Sequence, residues 1–215
     1  LQYAVRLGDD ALILGHRISE WCRNGPFLEE DIALSNSALD YIGRARMFYG
    51  YAAELSGGKK TEDDFAYLRD CREYQNLLIS ELPKGDFAWT MARQLIMDVY
   101  YLNFLSALSE SVDPNLAAIA AKAVKETKYH LRRSTDWVLR LGDGTEESHA
   151  RLQKAFDEIW GYIPEIFELD ELEQQLVDKG VAVNTPELQA RWQEEIRGIL
   201  TEATIEMPEV SWTVR

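Results

Sequence analysis

The stretch Leu34-Ser35-Asn36-Ser37-Ala38-Leu39-Asp40-Tyr41-Ile42-Gly43-Arg44-Ala45-Arg46-Met47-Phe48 decides the architecture. Leu34, Ala38, Tyr41, Ala45 and Phe48 alternate at spacings of four and three, and the series continues to Ala52 and Leu55. Such spacing lays an apolar seam along one face of a long α-helix, as in helices packed into a bundle. Three other stretches repeat it. The first is Leu7, Ala11, Leu14, Ile18 and Trp21. The second is Met91, Leu95, Asp98, Leu102 and Leu105. The third is Leu116, Ala120, Ala123, Thr127, His130, Ser134, Trp137 and Leu141. Small residues alternate with large ones, so successive layers interdigitate.

No stretch pairs period-2 alternation with hairpin turn residues, and the chain reads as all-α. Gly and Pro breakers place helices near residues 2–23, 29–56, 62–80, 86–112, 115–141, 146–168, 169–179 and 185–205. Asp113 and Thr145 suit N-caps, and Pro164 should end or kink its helix. The first two helices form one antiparallel pair, and those from 86 and 115 form another. Residues 57–85 join the pairs and carry a helix of their own. This is a ferritin-like four-helix bundle with additional helices, expected as a single domain over residues 1–215.

The composition narrows the function. Lys and Arg number 23 against 37 Asp and Glu, a formal net charge of −14. Phosphate backbones and anionic lipid would be repelled, so neither nucleic acid nor a membrane surface is an expected partner. No apolar run is long enough to span a bilayer, and a cytoplasmic protein is expected. Two cysteines, Cys22 and Cys71, make no disulfide framework and fall at apolar helix positions, where reduced core thiols are expected.

Polar residues on the seams are informative, because a charge on an apolar stripe is costly unless paired or ligated. Di-iron carboxylate bundles take one Glu from each of two helices and Glu-x-x-His from each of the other two. The seam positions at that level are Leu14, Tyr41 with Arg44, Asp98, and Thr127 with His130. Leu14, Tyr41, Asp98 and His130 should share one layer of the core. Only Asp98 and His130 have metal-binding side chains, a set too sparse for two irons. Asp40 and Glu126 lie one position off their seams, and Glu126 and His130 share a face at i, i+4. The favoured reading is a metal-free polar cluster of Asp40, Arg44, Asp98, Glu126 and His130. Arg44 would supply the positive charge there, being always charged and able to grip carboxylates in a fork. No catalytic residue is assigned.

Several runs carry a resemblance: Leu7-Gly8-Asp9-Asp10-Ala11-Leu12, Ser19-Glu20-Trp21-Cys22, Asp40-Tyr41-Ile42-Gly43-Arg44-Ala45-Arg46, Tyr51-Ala52-Ala53-Glu54-Leu55, Asp70-Cys71-Arg72-Glu73-Tyr74 and Lys125-Glu126-Thr127-Lys128-Tyr129-His130-Leu131-Arg132. Together, and along nearly the whole chain, they resemble the PaaC family of the bacterial phenylacetyl-CoA epoxidase, the multicomponent oxygenase of phenylacetate breakdown. The resemblance implies a structural subunit with no cofactor of its own, beside a catalytic A-type subunit that carries the di-iron centre. Where the catalytic subunit has Asp-Glu-x-Gly-His, this chain has Asp40-Tyr41-Ile42-Gly43-Arg44. The second Glu-x-x-His maps onto Thr127 and His130, where only the His remains. Members of that family usually continue past the stretch that here reads Ser211-Trp212-Thr213-Val214-Arg215, with a segment containing His-Thr-Glu.

Two other classes compete. A self-sufficient ferritin-like metalloprotein or oxidoreductase would use Asp98, Glu126 and His130. A helical storage or scaffold protein would be a stable solitary oligomer. Self-association and contacts with other epoxidase subunits stay open at this stage. His16 and His149 sit among polar neighbours and are expected in solvent. Tyr100-Tyr101 and Phe48-Tyr49-Gly50-Tyr51 point around more than one helix face, which suggests that some of them serve an interface.

Overall fold

A computed structural model describes residues 1–209, 212 and 213. Among them, regular structure is helical throughout. The helices are α1 (Gln2–Ser19), α2 (Leu28–Leu55), α3 (Glu62–Tyr67), α4 (Leu78–Glu81), α5 (Phe87–Leu108), α6 (Pro114–Gly142), α7 (Glu146–Ile159), α8 (Glu171–Val177) and α9 (Thr185–Glu202). Short 3-10 segments occupy Cys71–Glu73 and Trp160–Phe167. No described helix is long and apolar enough to cross a membrane. The chain divides into two compact units, residues 1–84 with 113–119, and residues 85–112 with 120–215.

In the first unit α1 packs along α2. Every seam residue of α2 from Leu34 to Ala52 is buried, and only Leu55 at the end is exposed. α1 stops at Ser19, four residues earlier than expected. The chain there tightens into 3-10-type bonds, Trp21 N–H to the Ile18 carbonyl and Cys22 N–H to the Ser19 carbonyl, and Arg23 takes a left-handed φ of 67°. Trp21 still folds back into the core, but Cys22 turns out to solvent. The expectation of a core thiol fails there, and it fails again at Cys71, which is exposed in a 3-10 turn.

The helix expected over 62–80 is three short pieces. Its middle is not helical because its backbone donors go elsewhere. The N–H of Gln75 donates to Asp9 Oδ2 at 2.9 Å, and that of Leu77 donates to Asp10 Oδ1 at 2.6 Å. Asp9 is completely buried and pairs with Arg69, whose side chain is 7% exposed. Tyr49 of α2 donates its hydroxyl to Asp9 Oδ1 at 2.6 Å. Arg69 also donates to the carbonyls of Phe65 and Glu73 and lies over the Tyr74 ring. Gly8 makes room for this arrangement, since a Cβ there would run into the Tyr49 ring. One carboxylate on α1 thus ties α2 and the crossover to the same point.

In the second unit α5 is buried almost all round: every residue from Thr90 to Tyr101 is enclosed. Two faces are covered by α7 and α9, with Trp192 Nε1–H donating to the Ile96 carbonyl at 3.1 Å. Tyr100 packs on Phe104 and Phe167. Tyr100 and Tyr101 are therefore both core residues, as are Phe48 and Tyr49 in the first unit. The expectation of an interface role fails for these four, α7 and α9 giving α5 a second covered side, while Tyr51 is half-buried and donates its hydroxyl to Asp113 Oδ2. On α6 the expected seam is buried from Leu116 to Ser134, then drifts to Val138, leaving Trp137 and Leu141 half-exposed. A straight helix turns every 3.6 residues, not 3.5, and walks off a strict seam.

The expected caps are in place. Asp113 Oδ1 accepts the N–H groups of Asn115 and Leu116, and Thr145 forms a capping box with Ser148. α7 gives way at Trp160 to a 3-10 segment holding Pro164, which has no N–H for an α-helical bond. His149 is half-buried, with Nδ1 3.0 Å from the Gly142 carbonyl at the end of α6, so it is not simply solvated. His16 is exposed as expected.

The Asp9 cluster gives the fold a pH signature. Burial first, then the Asp9 carboxylate, push the Tyr49 phenol far above its usual range. The folded state holds this proton where the unfolded chain loses it, near pH 10. Its contribution to stability is therefore complete below about pH 10 and declines as the pH rises above it. Urea midpoints should fall above about pH 10, and Tyr49→Phe should make that fall shallower. An unchanged alkaline slope in the variant would show that Tyr49 does not carry the effect.

Candidate functional site

The six positions that would carry iron ligands in a di-iron bundle are all in the core. Leu14 is fully buried on α1 and Tyr41 fully buried on α2. The helices approach closely here because Leu14 is followed by Gly15, whose Cβ would sit 3.1 Å from the Tyr41 Cβ. One turn on, Arg44 is 1% exposed, and its guanidinium lies 4.8 Å from the centroid of the Tyr41 ring. A buried guanidinium beside a phenol ring is the arrangement of a cation–π pair, not of a cation site.

In the second unit Asp98 of α5 is 1% exposed and accepts a hydrogen bond from Ser134 of α6 at 2.8 Å. Phe87 meets Trp137 edge-on at 5.0 Å, so α5 and α6 run antiparallel. His130 is 2% exposed, one turn before Ser134 on the same face of α6. Thr127 is fully buried, and its hydroxyl donates to the Ala123 carbonyl of its own helix at 2.9 Å. That back-bond satisfies the hydroxyl within the helix. Glu126 is half-buried, with Oε2 enclosed.

The expected polar residues are divided between the two units. Asp40 and Arg44 stand one helical turn apart on α2 of the first unit, Asp40 half-buried and Arg44 enclosed. Asp98, Glu126 and His130 belong to the second. The partner that ties Asp98 to α6 is Ser134, a seam residue that no ligand pattern singles out. The Asp9–Arg69–Tyr49 cluster also escapes a reading by ligand pattern. Its signal is nonetheless present: Asp9 and Asp10 adjoin a seam, and the crossover opposite carries Arg69 and Tyr74.

The donor chemistry does not fit a di-iron centre. Leu14 offers no lone pair, Arg44 brings a positive charge, and Thr127 is engaged by its own helix. Of the six positions, only Asp98 and His130 carry metal-binding groups. Among the described residues, no three His, Cys, Asp or Glu side chains gather into a group able to hold a metal ion.

Comparison with known proteins places this geometry. The whole sequence, residues 1–215, matches the family described as phenylacetic acid catabolic protein. The chain belongs to that family. Its fold is ferritin-like, in agreement with the two antiparallel helix pairs and the long crossover read from the seams. A curated relative, the C component of the 1,2-phenylacetyl-CoA epoxidase of Escherichia coli (strain K12), is 45% identical over 207 residues. The match covers 96% of this chain and 83% of that protein. Similarity to an epoxidase component, joined to a donor set that lacks most iron ligands, sets the functional question.

The buried guanidinium of Arg44 is directly testable. Arg44→Ala removes a large enclosed side chain and its stacking on Tyr41. It should lower the unfolding free energy by about 2–5 kcal/mol, measured by urea denaturation. A loss below about 1 kcal/mol would mean that Arg44 behaves as a surface residue.

Proposed function

We propose that this chain is the non-catalytic structural subunit of an oxygen-dependent phenylacetyl-CoA epoxidase. In this reading it packs a ferritin-like face against the di-iron catalytic subunit and supports the helices that hold iron there. It works in the cytoplasm, apart from membranes and nucleic acids, and its residues 1–215 act as one ferritin-like domain. The single observation that carries the reading is the state of the six ligand positions. All six are buried, but they hold Leu14, Tyr41, Arg44, Asp98, Thr127 and His130.

The physical case for such a subunit is support. Iron ligands spread over several long helices must be held to within about 0.5 Å, and that precision comes from the packed shell behind them. A related helical bundle offers a face of matching length and spacing. The self-sufficient metalloprotein has less support. Its three residues are Asp98, already bonded to Ser134, with Glu126 and His130, and they form no metal-holding group. In this reading the chain contributes no cofactor of its own, and the di-iron centre belongs to the partner.

Reconstitution from purified components separates the readings. The chain alone should not turn over phenylacetyl-CoA. Adding the iron-bearing subunit and a reductase should give epoxidation, and leaving this chain out should abolish it. Full activity of the iron-bearing subunit without this chain would refute the structural role.

A further inference from the structure

α2 has two apolar faces. The inner seam, Leu34 to Ala52, is buried. On the opposite side Leu28, Ile32 and Leu39 are 70%, 52% and 65% exposed. With Ser35, Ile42 and Arg46 they again follow four-and-three spacing, so they form one straight stripe, apolar except at Ser35 and at its Arg46 end. At 1.5 Å per residue the stripe is about 27 Å long. Isolated exposed leucines need no explanation, but four apolar side chains aligned along one stripe of a helix mark a contact surface. Gly43 leaves bare backbone beside it, with no atom within 4 Å of where its Cβ would stand. The stripe ends at a half-open cleft of about 260 Å³, walled by Leu12, Ile42, Ala45, Ala66 and Tyr67, with the Arg46–Glu62 ion pair at its edge.

Charge selects the occupant. The flanks carry Glu29, Asp31, Asp40, Glu62 and Asp63, against Arg46, which is already paired with Glu62 at 2.9 Å. A second copy docking through this stripe would set acid against acid, in a chain of net charge −14. The spacing of the stripe matches the knobs of another α-helix, not a strand or an extended peptide.

We infer that the outer face of α2 is a docking surface for an α-helix of a different subunit, one with an apolar seam flanked by Lys and Arg. The seam fills the Leu28–Leu39 stripe, and one large apolar side chain enters the cleft beside Ile42 and Tyr67. The basic flanks meet Glu29, Asp31, Asp40 and Asp63. This rests on the subunit reading above, and identifies the surface through which the iron-bearing subunit is held.

The test uses the full-length chain and the purified iron-bearing subunit, with affinity measured by calorimetry and assembly by size exclusion with light scattering. Ile32→Arg combined with Leu39→Arg should weaken the complex at least about tenfold, as loss of central apolar anchors does. Asp63→Lys should weaken it less and make it less sensitive to salt. Tyr129→Glu, an exposed aromatic on α6, should bind as the wild type does. All three are solvent-facing changes, and unaltered thermal melts confirm folding. Wild-type affinity in the Ile32/Leu39 variant overturns this surface while the subunit reading stands. A wild-type chain that does not bind the iron-bearing subunit at all removes both. A wild-type homodimer that the double variant dissolves would show that a second copy occupies the stripe, against the inference.

Discussion

The buried contact between Asp9 and Arg69 is the constraint from which the first unit follows. A carboxylate with no solvent exposure costs several kcal/mol unless its charge and lone pairs are met. Arg69, the Tyr49 hydroxyl and the Gln75 N–H meet them together. Meeting them requires the crossover to leave helical geometry after Tyr67, so that its backbone can reach α1. It also requires glycine at position 8, so that the Tyr49 ring can lie against the helix. Burial opposes the charge of Arg69, but the hydrogen bonds and charge of Asp9 outweigh it and push the guanidinium pKa up. The ion pair is thus self-reinforcing. Three of the buried polar groups are met by organic partners: Asp9 by Arg69, Asp98 by the Ser134 hydroxyl, and Thr127 by the Ala123 carbonyl.

Much of this is legible in the sequence, for a definite reason. Bundle packing writes itself as spacing, and the inner seam of α2 and the α6 seam from Leu116 to Ser134 follow that spacing residue by residue. Caps are local chemistry, and Asp113 and Thr145 are readable as such. What spacing cannot express is which carboxylate will intercept a backbone N–H far along the chain. That is why residues 62–80 read as one helix, and why Cys71 reads as a core residue. Nor does spacing show how many neighbours a helix has. α5 looks amphipathic from one seam, yet α7 and α9 bury its remaining faces and draw in Tyr100 and Tyr101. At the site, residue types are readable and partners are not. Arg44, Asp98 and His130 stand out in the sequence as polar groups on apolar seams, and they are buried. That Ser134 meets Asp98, and that Asp9 meets Arg69 and Tyr49, emerges only from the geometry.

The two faces of α2 connect fold to function. The inner face carries Tyr41 and Arg44, residues that fill ligand positions with bulk and positive charge. The outer face carries an apolar stripe that the fold itself does not use. A helix fixed from within and apolar without suits a rigid support in a larger assembly. On the proposed reading such a support gains nothing from binding iron, and packed or hydrogen-bonded residues at those positions avoid the cost of a vacant, charged centre.

The most direct test of this account is the iron content of the chain purified from iron-replete cells, together with its melting temperature with and without a strong chelator. The account predicts iron far below the roughly two equivalents of a carboxylate-bridged centre, and a melting temperature that the chelator does not move. Near-stoichiometric iron with a carboxylate-bridged spectrum, lost together with stability on chelation, would contradict it.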